Sequence, residues 1–439
     1  MKSSLLPILL LLWYSSYTQN NSIPEKNKLR GFFYIDYLST DMPVNDLGFD
    51  ERQMGLSGIH YNVMLDNFYG GLGIYGAVRG ERGGFFTLGL DLGHRSNLYK
   101  NFFLDTGVHF GGGGGDGAPD GGGAFILPHA NIGYQFQQFF LSTGYSYINF
   151  FDAGKIKSHQ LNFKLAVPID IDYADFKRSE SRYQVSELKN SEWDKKARRM
   201  SFMLHLNNLF AHGNSQTSSG ESLVGSIIRL VGFELNSYLN DHWFLFAKFD
   251  GAYDGIPAGY MDIFLGAGYH FRFNKNRTNI LAKFGMGAGG GGGGETKGGM
   301  LIYPDISLEQ HISNNLFLTI NKGFLMNPDA FFESSTLGFG LKYYTHINGI
   351  QNLKEESKNT FKGFEVVVKQ DLYKNAKRTR NPTEDLYQIA VQFNYYLSKN
   401  VYLAGQTAFA NFGNAGAYAE GIVGMGAQTN PFLKNKISL

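Results

Sequence analysis

The chain has 439 residues, with 40 Lys+Arg against 38 Asp+Glu, so it lacks the basic excess that a nucleic-acid face requires. Cysteine is absent, which excludes disulfide stapling, thiolate zinc sites, cysteine nucleophiles and a lipid anchor on Cys. Charged residues make up only 18 % and aromatics 15 %, alongside 56 Gly and 11 Pro, the balance expected of β-structure with an apolar outer face.

The first element is "MKSSLLPILLLLWYSSYTQ". Lys2, an apolar core from Leu5 to Trp13, and the small polar residues Ser15, Ser16 and Thr18 follow the order of a cleaved secretory signal, predicted over 1–18. It is too short and poorly flanked for a membrane-spanning helix, and no later apolar run approaches that length. A membrane location therefore requires a barrel.

From residue 29 onward alternation dominates. In 125–136, Ile126, Pro128, Ala130, Ile132, Tyr134 and Phe136 share one face, while His129, Asn131 and Gln135 share the other. In 159–167, Leu161, Phe163, Leu165 and Val167 oppose Gln160, Asn162 and Lys164. In 387–395, Tyr387, Ile389, Val391, Phe393 and Tyr395 oppose Gln388, Ala390, Gln392 and Asn394. This period of two predicts strands with one apolar and one polar face. Only the charged stretch 183–200 reads as a short helix.

The pattern repeats. Segments from Leu56, Leu230 and Gln388 share strand, polar turn ("LDN", "LND", "LSKN") and strand. "GGFFTLGLDLGH", "GYMDIFLGAGYH" and "GAYAEGIVGMGA" follow, each leading to a Lys-Asn pair at Lys100-Asn101, Lys275-Asn276 and Lys434-Asn435. In the first two copies the next strand runs into glycine, "GGGGGDGAPDGGG" and "GGGGGGETKGG". The chain divides into repeat 1 (29–168), a charged connector (169–199), repeat 2 (200–346) and a partial repeat 3 (347–439). Each full copy holds about eight strands, with long connections after the first and fifth (41–52, 211–224, 375–384) and short ones such as "QFQQ" and "ISNN". Long loops on one side and short turns on the other are the rhythm of a transmembrane barrel.

On signal, strand length, alternation and aromatic content, the chain resembles Gram-negative outer-membrane β-barrel proteins, and its "SYTQ" junction is similar to signal ends of Bacteroidota exports. The resemblance implies an all-β, antiparallel up-and-down barrel in the cell outer membrane. It also implies outer-membrane lipid and the barrel-assembly machinery as partners, and no nucleic acid. Many such barrels end on an aromatic residue, whereas this chain ends "NPFLKNKISL", just short of a third glycine-rich strand. One closed barrel of about twenty strands is expected; tandem eight-stranded barrels with an incomplete third are the alternative, favoured by the connector.

Few residues suggest chemistry. "GHRSN" is similar to the His-x-Ser-Asn pattern of outer-membrane lipid A deacylases, with His94 activating Ser96. Ser96 falls where a short turn is expected, the second copy has no serine there, and the nearest downstream acid is Asp105. His109, His129, Asp116 and Asp120 surround the first glycine run as candidate ligands, but Gly287, Asp305, Glu295 and Lys297 replace them in the second copy, so solvated loop groups are expected. A phosphate loop needs a helix after the glycines, where a strand follows. Tyr145, Tyr147, Tyr343 and Tyr344 are expected in an interfacial belt. No metal, cofactor or catalytic residue is expected. The functional expectation is a non-enzymatic passive pore or structural membrane component, with a lipid A-type acyl hydrolase or a surface-exposed binding protein as alternatives.

Overall fold

A computed structural model describes residues 22–43, 53–256, 259–291, 293–328, 332–350, 354–377 and 383–429. The expected signal over 1–18 and the end of the chain beyond 429 lie outside the described residues.

Alternating segments become long strands, and the polar tight turns between them carry the left-handed residues that two-residue hairpins need, at Asp66 (φ 55°), Lys100 (φ 51°) and Asn314 (φ 44°). After a short β1 (Asn27–Leu29), the first barrel comprises β2 (Gly31–Asp41), β3 (Gln53–Leu65), β4 (Phe68–Arg79) and β5 (Phe86–Tyr99). It continues through β6 (Phe102–Gly114), β7 (Phe125–Gln135), β8 (Phe140–Phe150) and β9 (Lys157–Pro168), and closes where β2 pairs with β9.

The connector contributes β10 (Ile171–Tyr173), β11 (Arg182–Gln184) and a single-turn helix α1 (Val185–Lys189). The second barrel then runs through β12 (Arg198–His212), β13 (Ile227–Tyr238), β14 (Trp243–Asp254) and β15 (Met261–Phe273). Its remaining strands are β16 (Thr278–Gly290), β17 (Met300–Ser313), β18 (Leu316–Met326) and β19 (Glu333–Ile347), and β12 pairs with β19 to close it. After β20 (Lys358–Thr360), a third body is an open sheet of β21 (Phe364–Ala376), β22 (Glu384–Tyr396), β23 (Val401–Phe412) and β24 (Ala419–Ala427). All pairings within these three bodies are antiparallel.

The twenty long strands therefore do not close into one barrel. Each set of eight satisfies its own edges, and the arrangement is the tandem alternative, with a four-stranded sheet as the third body among the described residues. Eight strands suffice for closure because the interior is then just wide enough for side chains to fill.

The short-turn end carries a separate small layer. β1 pairs with β10 and β11 with β20. Tyr183, Val185, Leu188, Trp193 and Ile350 form its core, and the Trp193 indole N–H donates to the Pro24 carbonyl at 2.9 Å. The connector is thus a packed joint between the three bodies.

Register shows how closely the copies correspond. A β-bulge occurs at the same place in each, at Gly55/Leu56, Arg229/Leu230 and Tyr387/Gln388. Beside it Leu56 pairs with Ala77, Leu230 with Ala252, and Gln388 with Ala410. Carried one strand further, Gly76 pairs with Phe86 and Gly251 with Met261. "GGFFTLGLDLGH" and "GYMDIFLGAGYH" therefore correspond with a one-residue offset. That offset exchanges faces, so outward His94 corresponds to Tyr269 and inward Arg95 to His270. The same register puts His109 opposite Gly285 in the second copy, not Gly287.

The glycine runs lie where the bodies meet. A Cβ at Gly112 would stand 2.3 Å from the Ala410 carbonyl oxygen, and one at Gly76 would stand 2.6 Å from the Ala288 Cβ. Gly123 (φ +93°) would place a Cβ 2.6 Å from the Ala410 oxygen, and Gly299 (φ +86°) one 2.4 Å from the Ala77 oxygen. Gly123 and Gly299 are equivalent, since each carbonyl accepts from the matching strand glycine, Gly113 or Gly289. The same contact is therefore made twice: the fifth strand and its glycine turn pack on the third strand of a neighbour. At the centre, Phe86 and Leu88 of the first barrel, Ile263 and Ala288 of the second, and Val391 and Phe409 of the sheet form one buried apolar cluster. Glycine serves here for close approach of backbones.

Candidate functional site

Many inward positions on the strands are polar, beside buried apolar side chains such as Leu127 and Leu209, and closure brings them together. In the first barrel the Lys164 ammonium lies 3.2 Å from Asp105, whose other oxygen accepts from the Tyr69 hydroxyl at 2.8 Å. Asp91 bridges His60 and His109 through their Nδ1 atoms at 2.9 and 2.8 Å. Tyr75 donates to Asp36 at 2.7 Å. Arg95 points inward among Phe32, Phe103 and Phe140, with its guanidinium 4.2–4.7 Å from the three ring centres.

The second barrel uses different residues to the same end. Lys283 sits between Glu234 (2.7 Å) and Asp305 (3.0 Å), and Lys342 pairs with Glu309 at 2.7 Å. Lys248 pairs with Asp250, which also contacts His205 at 2.6 Å. Tyr344 donates to Glu309 at 2.7 Å, and Arg199 lies over the Tyr238 and Tyr344 rings. Lys248, Lys283 and Lys342 are all buried. Charges so placed persist only when paired, and here every lysine has a carboxylate. Paired charges and rings cross the interior of both barrels. One interior space in the first barrel, between Asp36, Tyr75, His129 and Lys164, is about 10 Å³, room for about one water molecule.

The outward face is the reverse. Leu161, Phe163 and Leu165 on β9, Leu204 and Leu206 on β12, Phe284 and Met286 on β16, and Phe339 and Leu341 on β19 are all exposed. Phe163 is 58 % and Ile306 60 % accessible, although a soluble protein rarely leaves so continuous an apolar band uncovered. Aromatic rings gather at the short-turn rim, with Phe102 against Tyr134, Phe136 against Phe139, and Trp243 against Tyr269. Of the tyrosines expected in a belt, Tyr145 is exposed and Tyr147 half-buried on the outer face. Tyr344 is buried inside the barrel instead, because it falls on the inward phase of β19.

The candidate catalytic pair is brought together. Ser96 Oγ lies 3.1 Å from His94 Nδ1 on the outer face of β5. Ser96 is within the strand, opposite Leu104, and not in a turn. Among the described residues no carboxylate contacts His94, which packs against the Phe68 ring, and Asp105 points inward to Lys164. The histidine therefore lacks the third group that would orient it as a base.

The candidate ligands around the first glycine run do not come together as a set. His109 and His129 are strand residues aimed into the barrel, and Asp120 is buried, accepting from the Gly115 amide at 2.9 Å. These three are not solvated loop groups, because the histidines fall on the inward phases of β6 and β7 and Asp120 is buried against the Gly115 amide. Among the described residues, His60, Asp91 and His109 form the group whose donor atoms lie close enough together, within 4.8 Å, to hold a metal. The same atoms bond to one another as part of the internal network. Sequence reading missed this network because its partners lie on different strands, though the inward phase of each member is legible from alternation.

No family model matches the chain, and no curated protein does. Solved structures similar to it include Ail, the attachment invasion locus protein of Yersinia pestis, at 12 % identity over 34 % of this chain and 100 % of that one, with a TM-score of 0.25. The outer membrane channel DcaP of Acinetobacter baumannii aligns at 9 % identity over 73 % of this chain and 97 % of that one, with a TM-score of 0.22. OpdQ of Pseudomonas aeruginosa aligns at 7 % identity over 92 % and 85 %, with a TM-score of 0.19.

Proposed function

We propose that this chain is an integral protein of a bacterial outer membrane that acts without catalysis, as a structural membrane component built from barrels packed side by side. The observation that carries the reading is the inversion of polarity: an exposed apolar band outside and buried lysine–carboxylate pairs inside. Among β-structures only a closed barrel satisfies every backbone group in lipid, and the two eight-stranded copies are closed. Side-chain pairs that span the interiors favour a structural role over a passive pore, since a pore needs a continuous aqueous lumen. The long-loop rim supplies an exposed surface, and the incomplete His94–Ser96 arrangement argues against acyl hydrolysis.

The test is reconstitution of the full chain in planar bilayers, together with carbonate extraction of membranes that contain it. Retention in the carbonate pellet, heat-modifiable gel mobility and no discrete conductance steps are expected. Stepwise conductance would overturn the structural role in favour of a pore. Release by carbonate would overturn the membrane reading. A change in lipid A acylation that is lost with Ser96→Ala would establish the hydrolase.

A further inference from the structure

The interface between copies has a direction, and the direction leaves one position vacant. The third strand of the open sheet, β23, packs on the fifth strand of the first barrel, with Ala410 under Gly112 and Gly123. The third strand of the first barrel, β4, packs in turn on the fifth strand of the second, with Ala77 under Gly299 and Gly76 beside Ala288. A head-to-tail contact used repeatedly in one sense closes into a ring when the rotation fits. The central apolar cluster contains residues of all three copies, so this ring has three members. On the far side, Tyr395 of β22 meets Phe202 and Tyr343 of the second barrel. The third strand of the second barrel is β14. Its Gly251 and Ala252 correspond by register to Gly76 and Ala77, yet no heavy atom lies within 4 Å of a Cβ placed at Gly251.

The open sheet shows the same gap from the other side. Among the described residues, β21 and β24 each pair along one edge only. Neither phase of β24 is buried: Ile422 is 47 % and Met425 76 % accessible. An unpaired edge is costly anywhere and more so in lipid.

We propose that the free edges of β21 and β24, together with the β14 face at Gly251–Ala252, form a docking site for a four-stranded antiparallel meander with the pattern of strands five to eight of this repeat. Such an occupant brings the sheet to eight strands and closes it. Its first strand is glycine-rich toward the long-loop end, because the two existing contacts of this type tolerate nothing larger than Ala288 at the approach. A second copy of this chain fits less well: its β21 would bring outward Val366, Val368 and Leu372 to the place where glycine is required. The inference rests on register and close approach, and holds whether the closed barrels conduct or not.

The absence of cysteine makes the test clean. The full chain carrying Gly251→Cys is refolded in detergent micelles with a separate polypeptide spanning 276–347 of the same sequence and carrying Ala288→Cys, then oxidised. A chain carrying both Gly76→Cys and Ala288→Cys is the control for the interface already formed. The expected result is a one-to-one disulfide-linked product from most of the chain. Amide exchange in β21 and β24 should slow at least tenfold, an order-of-magnitude expectation for edges newly paired in a sheet. Capture that is absent while the control pair oxidises overturns the proposal. A homodimer in which β21 and β24 become protected also overturns it, in favour of the second copy. Failure of the membrane reading would appear in carbonate extraction and leave this crosslink unaffected.

Discussion

Replacing Gly112 by leucine tests whether the glycine runs exist for close approach between copies. A Cβ there would lie 2.3 Å from the Ala410 oxygen, 2.6 Å from the Asn411 Cβ and 2.9 Å from the Ala410 carbonyl carbon, two of these being backbone atoms that cannot rotate away. Ordinary contact begins near 3.4 Å, so the first barrel and β23 must separate by about 1 Å even before the rest of the leucine is placed. Overpacking of this kind costs about 1–3 kcal/mol, and the cost falls on the joint, because residue 112 points away from the ion-paired interior. The expected outcome is a first barrel that still folds with heat-modifiable mobility, while amides of β22 and β23 exchange about ten- to a hundredfold faster. Gly405→Leu is the matched control: it lies on the same strand as Ala410, with nothing within 4 Å of its Cβ, and should change exchange little. Unaltered protection of β22 and β23 in the Gly112 variant, or an equal effect at Gly405, would refute the close-approach account.

Lys283→Met removes the cation between Glu234 and Asp305 and leaves two buried carboxylates uncompensated. A loss of about 3–5 kcal/mol in urea titration is expected, and a loss under about 1 kcal/mol would show that water already shields the pair. Phe163→Arg puts a cation into the exposed apolar band of β9 and should destabilise the barrel in lipid by about 2–4 kcal/mol near the midplane; equal stability in vesicles would count against lipid contact there. Asp120 gives a pH dependence outside the spanning strands. Burial pushes its carboxyl up to about 7, against the pull of the Gly115 amide that donates to it. The folded loop therefore prefers the neutral acid, so its contribution is complete below about pH 4 and is lost as pH rises through about 7. Asp120→Asn should abolish that slope, leaving the 115–124 loop more protected from exchange than the native chain at pH 8, and a parallel pH profile for both proteins would refute the assignment.

Alternation alone carried most of the local structure, because a strand with one wet and one dry face must place apolar residues at every second position. Leu161, Phe163, Leu165 and Val167 were legible as one face, and Lys164 as a member of the other. The repeat and its long and short connections were equally plain, since turns demand Asn, Asp and Gly wherever they occur. What sequence could not supply was closure. Whether twenty strands form one barrel or separate ones depends on which edge β9 meets, and both answers use the same strands. The pairing of Lys164 with Asp105, or Lys283 with Glu234, exists only after that choice, because the partners lie 59 and 49 residues apart. Register has the same character: matching the copies by letters put His94 opposite His270, while the hydrogen-bond ladder set it opposite Tyr269 and reversed the face. The glycine runs themselves were conspicuous in the chain, and composition marked them as places without side chains. Only the tertiary structure decided why side chains are missing: at Gly112 and Gly299 another copy's backbone occupies the space that a Cβ would take.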